Sequence, residues 1–250
     1  MRRGLALLVL AGLVGLACAS ARAQEVVLGL SDEVIAVGPR FAGTQLLVFG
    51  ATDRPGDLVI VLRGPETPVA VRRKDRLAGI WINRESMLFA SVPRFYALAS
   101  TRPLKILAAP EVLAEARLGI EHLNFWTVSV QSEERIAEFR GALIALEREV
   151  RHYGGAAKDV AYLAERLFRA SFDLPATVPA GTYTVEAYLF QKGTIVARAA
   201  KSFLVQQTGF GAAMQDFAHR RPIAYGFIAL SVALMAGWLG GFLFRKRARR

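Results

Sequence analysis

The chain has 250 residues, 53% of them hydrophobic and 21% charged, with a formal charge of +11. The apolar residues concentrate in two runs, 5–17 and 223–244, a distribution that excludes a cytoplasmic globular protein. The charge is local as well. Arg2, Arg3 and Arg22 at one end, and Arg245, Lys246, Arg247, Arg249 and Arg250 at the other, leave 24 cations against 21 acids over residues 24–222. That +3 balance suits an ordinary domain, and no nucleic-acid partner is expected.

Residues 1–23 combine Arg2 and Arg3, an apolar stretch and a small-residue end at Ala21-Arg22-Ala23, the pattern of a secretory signal peptide cut after Ala23. A permanent anchor would need nearer 20 apolar residues. The single cysteine, Cys18, lies inside this segment, so the exported chain would form no disulfide.

Residues 24–207 read as one exported domain. Strand-like runs fall at 26–30, 33–37, 44–49, 57–62, 69–73 and 79–82, punctuated by Gly38-Pro39, Arg54-Pro55-Gly56 and Gly64-Pro65-Glu66. A helical insertion is expected over about 110–170. Pro110 suits the first turn of a short helix. After Ser132, residues Ile136, Phe139, Leu143, Leu146, Val150 and Tyr153 recur at three and four, predicting an amphipathic helix closed by Gly154-Gly155. Val160, Leu163 and Leu167 predict a second helix over 156–170, giving a helical hairpin packed on the sheet. Strands resume at 182–190, where Tyr183, Val185, Ala187 and Leu189 alternate, and Gln191-Lys192-Gly193 turns the chain into 194–205. The expected fold is mainly β with a helical insertion. Specifically, it is an immunoglobulin-like antiparallel β-sandwich plus helical hairpin, followed by a single C-terminal transmembrane helix.

After a juxtamembrane segment at 208–222, residues 223–244 hold no charge and would reach about 33 Å as a helix, enough for a bilayer core. The five cations of the 245–250 tail place that end in the cytoplasm and the domain outside. Ala229, Ala233, Gly237 and Gly241 form a small-residue stripe. It reads either as a helix-packing face, for a membrane partner or a second copy in a homo-oligomer, or as the ordinary composition of membrane helices.

Enzyme signatures are lacking: His122, His152 and His219 are isolated, and no metal, nucleophile-elbow or phosphate-loop motif is present. No catalytic residue, metal or cofactor is expected. His122 and His152 read as surface positions on helices, and His219 as a head-group contact beside Arg220 and Arg221. The densest charge is in Arg72, Arg73, Lys74, Arg76 and Arg84, around Asp75. It reads as an oxyanion-binding cluster or as a solvated hairpin with Trp81 anchored in the core. Alternation along a strand puts Arg72 and Lys74 on one face and Arg73 on the other. Phe95 and Tyr96 read as core residues or as the lining of a pocket.

Phe41-Ala42-Gly43-Thr44, Val48-Phe49-Gly50, the stretch from Arg73 through Gly79-Ile80-Trp81-Ile82-Asn83, Val92-Pro93-Arg94-Phe95-Tyr96-Ala97, Tyr225-Gly226, Gly237-Trp238 and Phe244-Arg245 resemble an alphaproteobacterial family of transmembrane proteins without assigned activity. The resemblance implies a signal peptide, a periplasmic domain, one C-terminal span and an association with sulfite-exporter-type permeases; the topology read above gives the inner (cytoplasmic) membrane as the expected location. The expected function is a non-enzymatic accessory subunit of such a membrane permease. The alternative is a periplasmic anion or sulfonate binding module acting alone.

Overall fold

In the computed structural model the described residues are 26–77, 79–128, 131–155 and 157–247. The predicted signal peptide, with Cys18, and the last three residues of the tail lie outside them.

Thirteen strands are described: β1 (Val26–Leu30), β2 (Val34–Val37), β3 (Thr44–Thr52), β4 (Asp57–Arg63), β5 (Glu66–Leu77), β6 (Ile80–Pro93), β7 (Tyr96–Ser100), β8 (Trp126–Thr127), β9 (Lys158–Asp159), β10 (Ala161–Tyr162), β11 (Leu167–Leu174), β12 (Gly181–Gln191) and β13 (Thr194–Gln207). A four-stranded sheet in the order β1-β3-β11-β10 faces a six-stranded sheet in the order β2-β13-β12-β4-β7-β9. Between them Leu46, Val48, Phe168, Phe172, Leu58, Ile60, Leu62, Tyr183, Val185 and Phe203 form a closed core. Each such fully buried side chain contributes roughly 1.5–3 kcal/mol of transfer free energy. Pairing is mostly antiparallel, but β13 runs parallel to β2 and β7 parallel to β9.

β4 explains why the six-stranded sheet has two covered faces. Leu58, Ile60 and Leu62 point into the sandwich, whereas Val59 and Val61 enter a second core with Tyr96, Tyr188 and Phe190. That second core is roofed by α1 (Leu104–Leu107), α2 (Pro110–Glu115), a 3₁₀ turn at Ile120–His122 and α3 (Glu133–Glu149). An uninterrupted apolar run such as Leu58 to Leu62 is the sequence of a strand buried on both sides.

The predicted helical hairpin is corrected to a single long helix. α3 forms with Ser132 at its N-cap position, buries Phe139 and Leu143, and leaves Leu146 and Val150 exposed. The segment predicted as its partner, 156–170, instead runs through β9 and β10 and into β11. In β11 Phe168, Ala170, Phe172 and Leu174 are buried in alternation, and the strand pairs with β3 from Leu167↔Ala51 to Leu174↔Thr44. A period of two with a waiting edge on β3 outcompetes the shorter three-and-four spacing of Val160, Leu163 and Leu167.

The closing hairpin forms as expected. Lys192 and Gly193 both take positive φ, 50° and 83°, the backbone of a two-residue turn whose twist matches the strands.

A third sheet, β5-β6-β8, grows out of the second. β4 and β7 are partners, and their ladder continues through the junction: the Gly64 N–H donates to the Phe95 carbonyl at 2.8 Å and the Arg94 N–H to the Pro65 carbonyl at 2.9 Å. A Cβ on Gly64 would lie 2.8 Å from the Phe95 Cβ, so the close approach requires glycine. Beyond this point β5 and β6 form a long ribbon. At the junction Arg94 pairs with Glu147 of α3 at 3.0 Å, and Glu147 also meets His152 at 2.8 Å.

His152 is therefore buried, correcting the surface reading. Its second ring nitrogen donates to the Thr177 carbonyl at 3.0 Å, tying the end of α3 to the loop before β12. The chain leaves β13 through α4 (Phe210–Arg220) into α5 (Pro222–Arg247), a 26-residue helix of about 39 Å.

Candidate functional site

The cluster predicted from the charge run lies on the β5–β6 ribbon, and its members diverge. Arg73 is on the α3 side and pairs with Glu138 at 2.9 Å. Arg84 sits at a bulge where the register shifts between Arg73↔Glu85 and Lys74↔Asn83, and it pairs with Asp75 at 2.8 Å. The Arg84 hydrogen bond holds the Asp75 carboxyl below its ordinary range. Arg76 donates through Nε to the Gly79 carbonyl. Arg72 and Lys74 are exposed and have no carboxylate partner among the described residues. The five cations thus do not enclose one anion: two are neutralised within the domain, and three keep their charge available along the ribbon.

Trp81 is not a core anchor. It is 66% exposed, together with Leu77, Ile80 and Ile82, because the ribbon tip extends past everything that could cover it. Phe95 and Tyr96 are buried, as the core reading expected. The Tyr96 hydroxyl accepts the Gly119 N–H at 2.8 Å, and burial pushes its pKa up to about 12.

A different site appears on the outer face of the six-stranded sheet, where no sequence motif pointed. A cleft of about 1200 Å³ is lined by Arg63 of β4, Arg117, and Thr184, Glu186, Tyr188 and Arg198 of β12 and β13. Glu186 is buried at its floor and bridges Arg63 and Arg198. The Tyr188 hydroxyl donates to Glu186 at 3.1 Å, and the Arg198 guanidinium lies over the Tyr188 ring at 5.3 Å. Arg63 also donates to the carbonyls of Ala116 and Arg117 at 3.0 and 3.1 Å. The register explains the convergence: Thr184 opposes Arg63 on β4, and Tyr188 opposes Arg198 on β13. Arg63, Arg117 and Arg198 are matched by Glu66, Glu115 and Glu186 in the lining, so the cleft offers both signs of charge to a polar solute. The one sequence signal for it was a glutamate within the apolar stretch Val185 to Phe190. Among the described residues no group of three or more His, Cys, Asp or Glu could hold a metal.

In α5 the residues Ala229, Ala233 and Gly237 are exposed along one stripe, and Gly241 continues the same spacing. Nothing lies within 4 Å of a Cβ built on Gly237. The stretch Pro222–Gly240 is long and apolar enough to cross a bilayer, and none of it is buried within the protein.

Among the described residues a mainly β domain is joined to one unburied apolar helix of bilayer length, the makeup of a membrane protein with a candidate C-terminal span. The family model described as "Putative transmembrane protein (Alph_Pro_TM)" matches residues 25–246, and the chain belongs to that family. No curated protein matches the chain.

Proposed function

We propose that the protein is a non-enzymatic accessory subunit of a membrane transporter, its β domain outside the cytoplasmic membrane and its basic tail inside. The observation that carries this reading is α5: an unburied span of 19 residues with small side chains at Ala229, Ala233 and Gly237. Among the described residues this helix finds no second membrane helix to pack against, and small residues let a neighbour approach closely. The tail cations favour the cytoplasmic orientation. A sulfite-exporter-type permease is the partner the resemblance suggests. The test is a mild-detergent pull-down of the tagged full-length chain, wild type against G237I/G241I. One stoichiometric multi-span permease, lost in the variant, supports the reading. An unchanged set of retained proteins in the variant removes the docking role.

The cleft favours a second reading, a binding module for a small oxyanion or sulfonate. Its equal numbers of arginines and carboxylates suit a zwitterionic sulfonate better than a bare anion. Calorimetry of the full-length protein with taurine, sulfite, sulfate and phosphate tests it. Heat with taurine that R117A/R198A abolishes supports the module, and silence with all four solutes rejects it.

A further inference from the structure

The β5–β6 ribbon carries a combination that neither the transporter reading nor the cleft uses. Its tip presents Leu77, Ile80, Trp81 and Ile82 to solvent, and the strands behind the tip carry Arg72, Lys74 and Arg76 without a carboxylate partner among the described residues. We propose that this tip inserts shallowly into the anionic lipid surface beside the protein's own membrane span, with the apolar side chains entering the head-group boundary and the three cations meeting lipid phosphates.

Three observations favour lipid as the occupant. The first is composition. An aromatic and three aliphatic side chains at the end of a two-stranded arm, backed by unspent cations, are the complement of an apolar layer faced by anionic head groups. Tryptophan is at home at that boundary.

The second is the connection. The ribbon leaves the sandwich at Gly64-Pro65, and a Cβ on Gly181 would lie 2.8 Å from Pro65. Gly181 pairs with Val205, close to the end of β13, from which the chain passes to α4 and α5. The root of the arm and the exit toward the span are therefore at the same end of the sandwich. The third is reach. Eleven residue steps from Glu66 to Leu77 at about 3.3 Å give roughly 36 Å. The lower part of the arm is braced: α3 lies beside it, held by Arg73–Glu138 and by Arg135–Glu85 at 3.3 Å, and residues 75–77 and 79–82 project beyond these braces.

The inference rests on α5 being embedded in a bilayer, and the test separates the two. Full-length protein in a C18S background is reconstituted in nanodiscs of phosphatidylcholine alone or with phosphatidylglycerol, and an NBD fluorophore is attached at I80C, L230C or E165C. Position 230 is in the span, and Glu165 is exposed in the turn before β11. Depth-dependent quenching by spin-labelled lipid is expected at 230 in both lipids, at 80 chiefly with phosphatidylglycerol and from a shallow depth, and not at 165. R72Q/K74Q should lower the inserted-to-free ratio at position 80 by roughly fivefold per cation removed. Quenching at 230 without any at 80 would overturn the tip insertion while leaving the span intact. Loss of quenching at 230 would instead remove the anchor on which it rests. A signal at 80 that is indifferent to both phosphatidylglycerol and R72Q/K74Q would refute the role of the cations.

Discussion

Replacing Glu186 by alanine should destabilise the domain by about 3 kcal/mol, because it strands a guanidinium whose charge the carboxylate now neutralises. The two partners differ in weight. The Arg63 side chain is 16% exposed and that of Arg198 58% exposed, so the Arg63 pair is shielded from water and the Arg198 pair is largely screened. The estimate takes the lower end of the range for a broken buried pair because Arg63 keeps its bonds to the carbonyls of Ala116 and Arg117. For a domain of this size the loss corresponds to a Tm lower by about 6–12 °C. Adding R63M to E186A should recover most of it, since the shielded guanidinium is then gone, the remaining Arg198 is largely exposed to water, and cleft water can serve the two carbonyls. R198A alone should cost only about 1 kcal/mol, mostly through its contact with the Tyr188 ring. Thermal unfolding of the full-length protein in one detergent, followed by near-ultraviolet circular dichroism, reads the three variants against wild type. A Tm for E186A within about 2 °C of wild type, or a further fall on adding R63M, would refute this account of the cleft floor.

Phe172, fully buried between the sheets, should cost about 3–5 kcal/mol when replaced by alanine, measured as a lower urea midpoint with an unchanged slope. Y96F should cost about 1–3 kcal/mol by leaving the Gly119 N–H without its acceptor. It should also weaken alkaline unfolding: Tyr96 ionises near 10 when unfolded and near 12 when folded, so wild-type stability falls as pH rises from 10 to 12. Burial raises Tyr153 and Tyr183 in the same direction, so in Y96F that slope should shrink without vanishing. A double-mutant cycle on Arg73 and Glu138, both half exposed, should give a coupling below about 1 kcal/mol that disappears in high salt.

The strands were legible where burial imposes its period locally. Val26–Leu30 was read with its final bounds, and the alternation from Tyr183 to Leu189 marks the face of β12 that enters the core. Residues 156–170 were misread because Val160, Leu163 and Leu167 satisfy a helical spacing, whereas the competing strand depends on β3, far earlier in the chain. Trp81 was misplaced because an aromatic in an alternating segment looks like core, and the sequence does not say that the ribbon outruns the body of the domain. The cleft was illegible for a similar reason. Arg63, Glu186 and Arg198 meet only through the register of three strands, which no local pattern encodes. The span needed no such information, since its length and its lack of charge are both local.

The position of β13 has a mechanical consequence. This strand is the last before the membrane helix, and it is held between β12, along most of its length, and β2 near its end. Any drag between the bilayer and the β domain pulls along its axis, while its ladder bonds with β12 lie across that axis. Such a load is shared by many bonds in shear and does not open them one at a time like a zip. The attachment resists tension most strongly along the direction in which a membrane tether applies it.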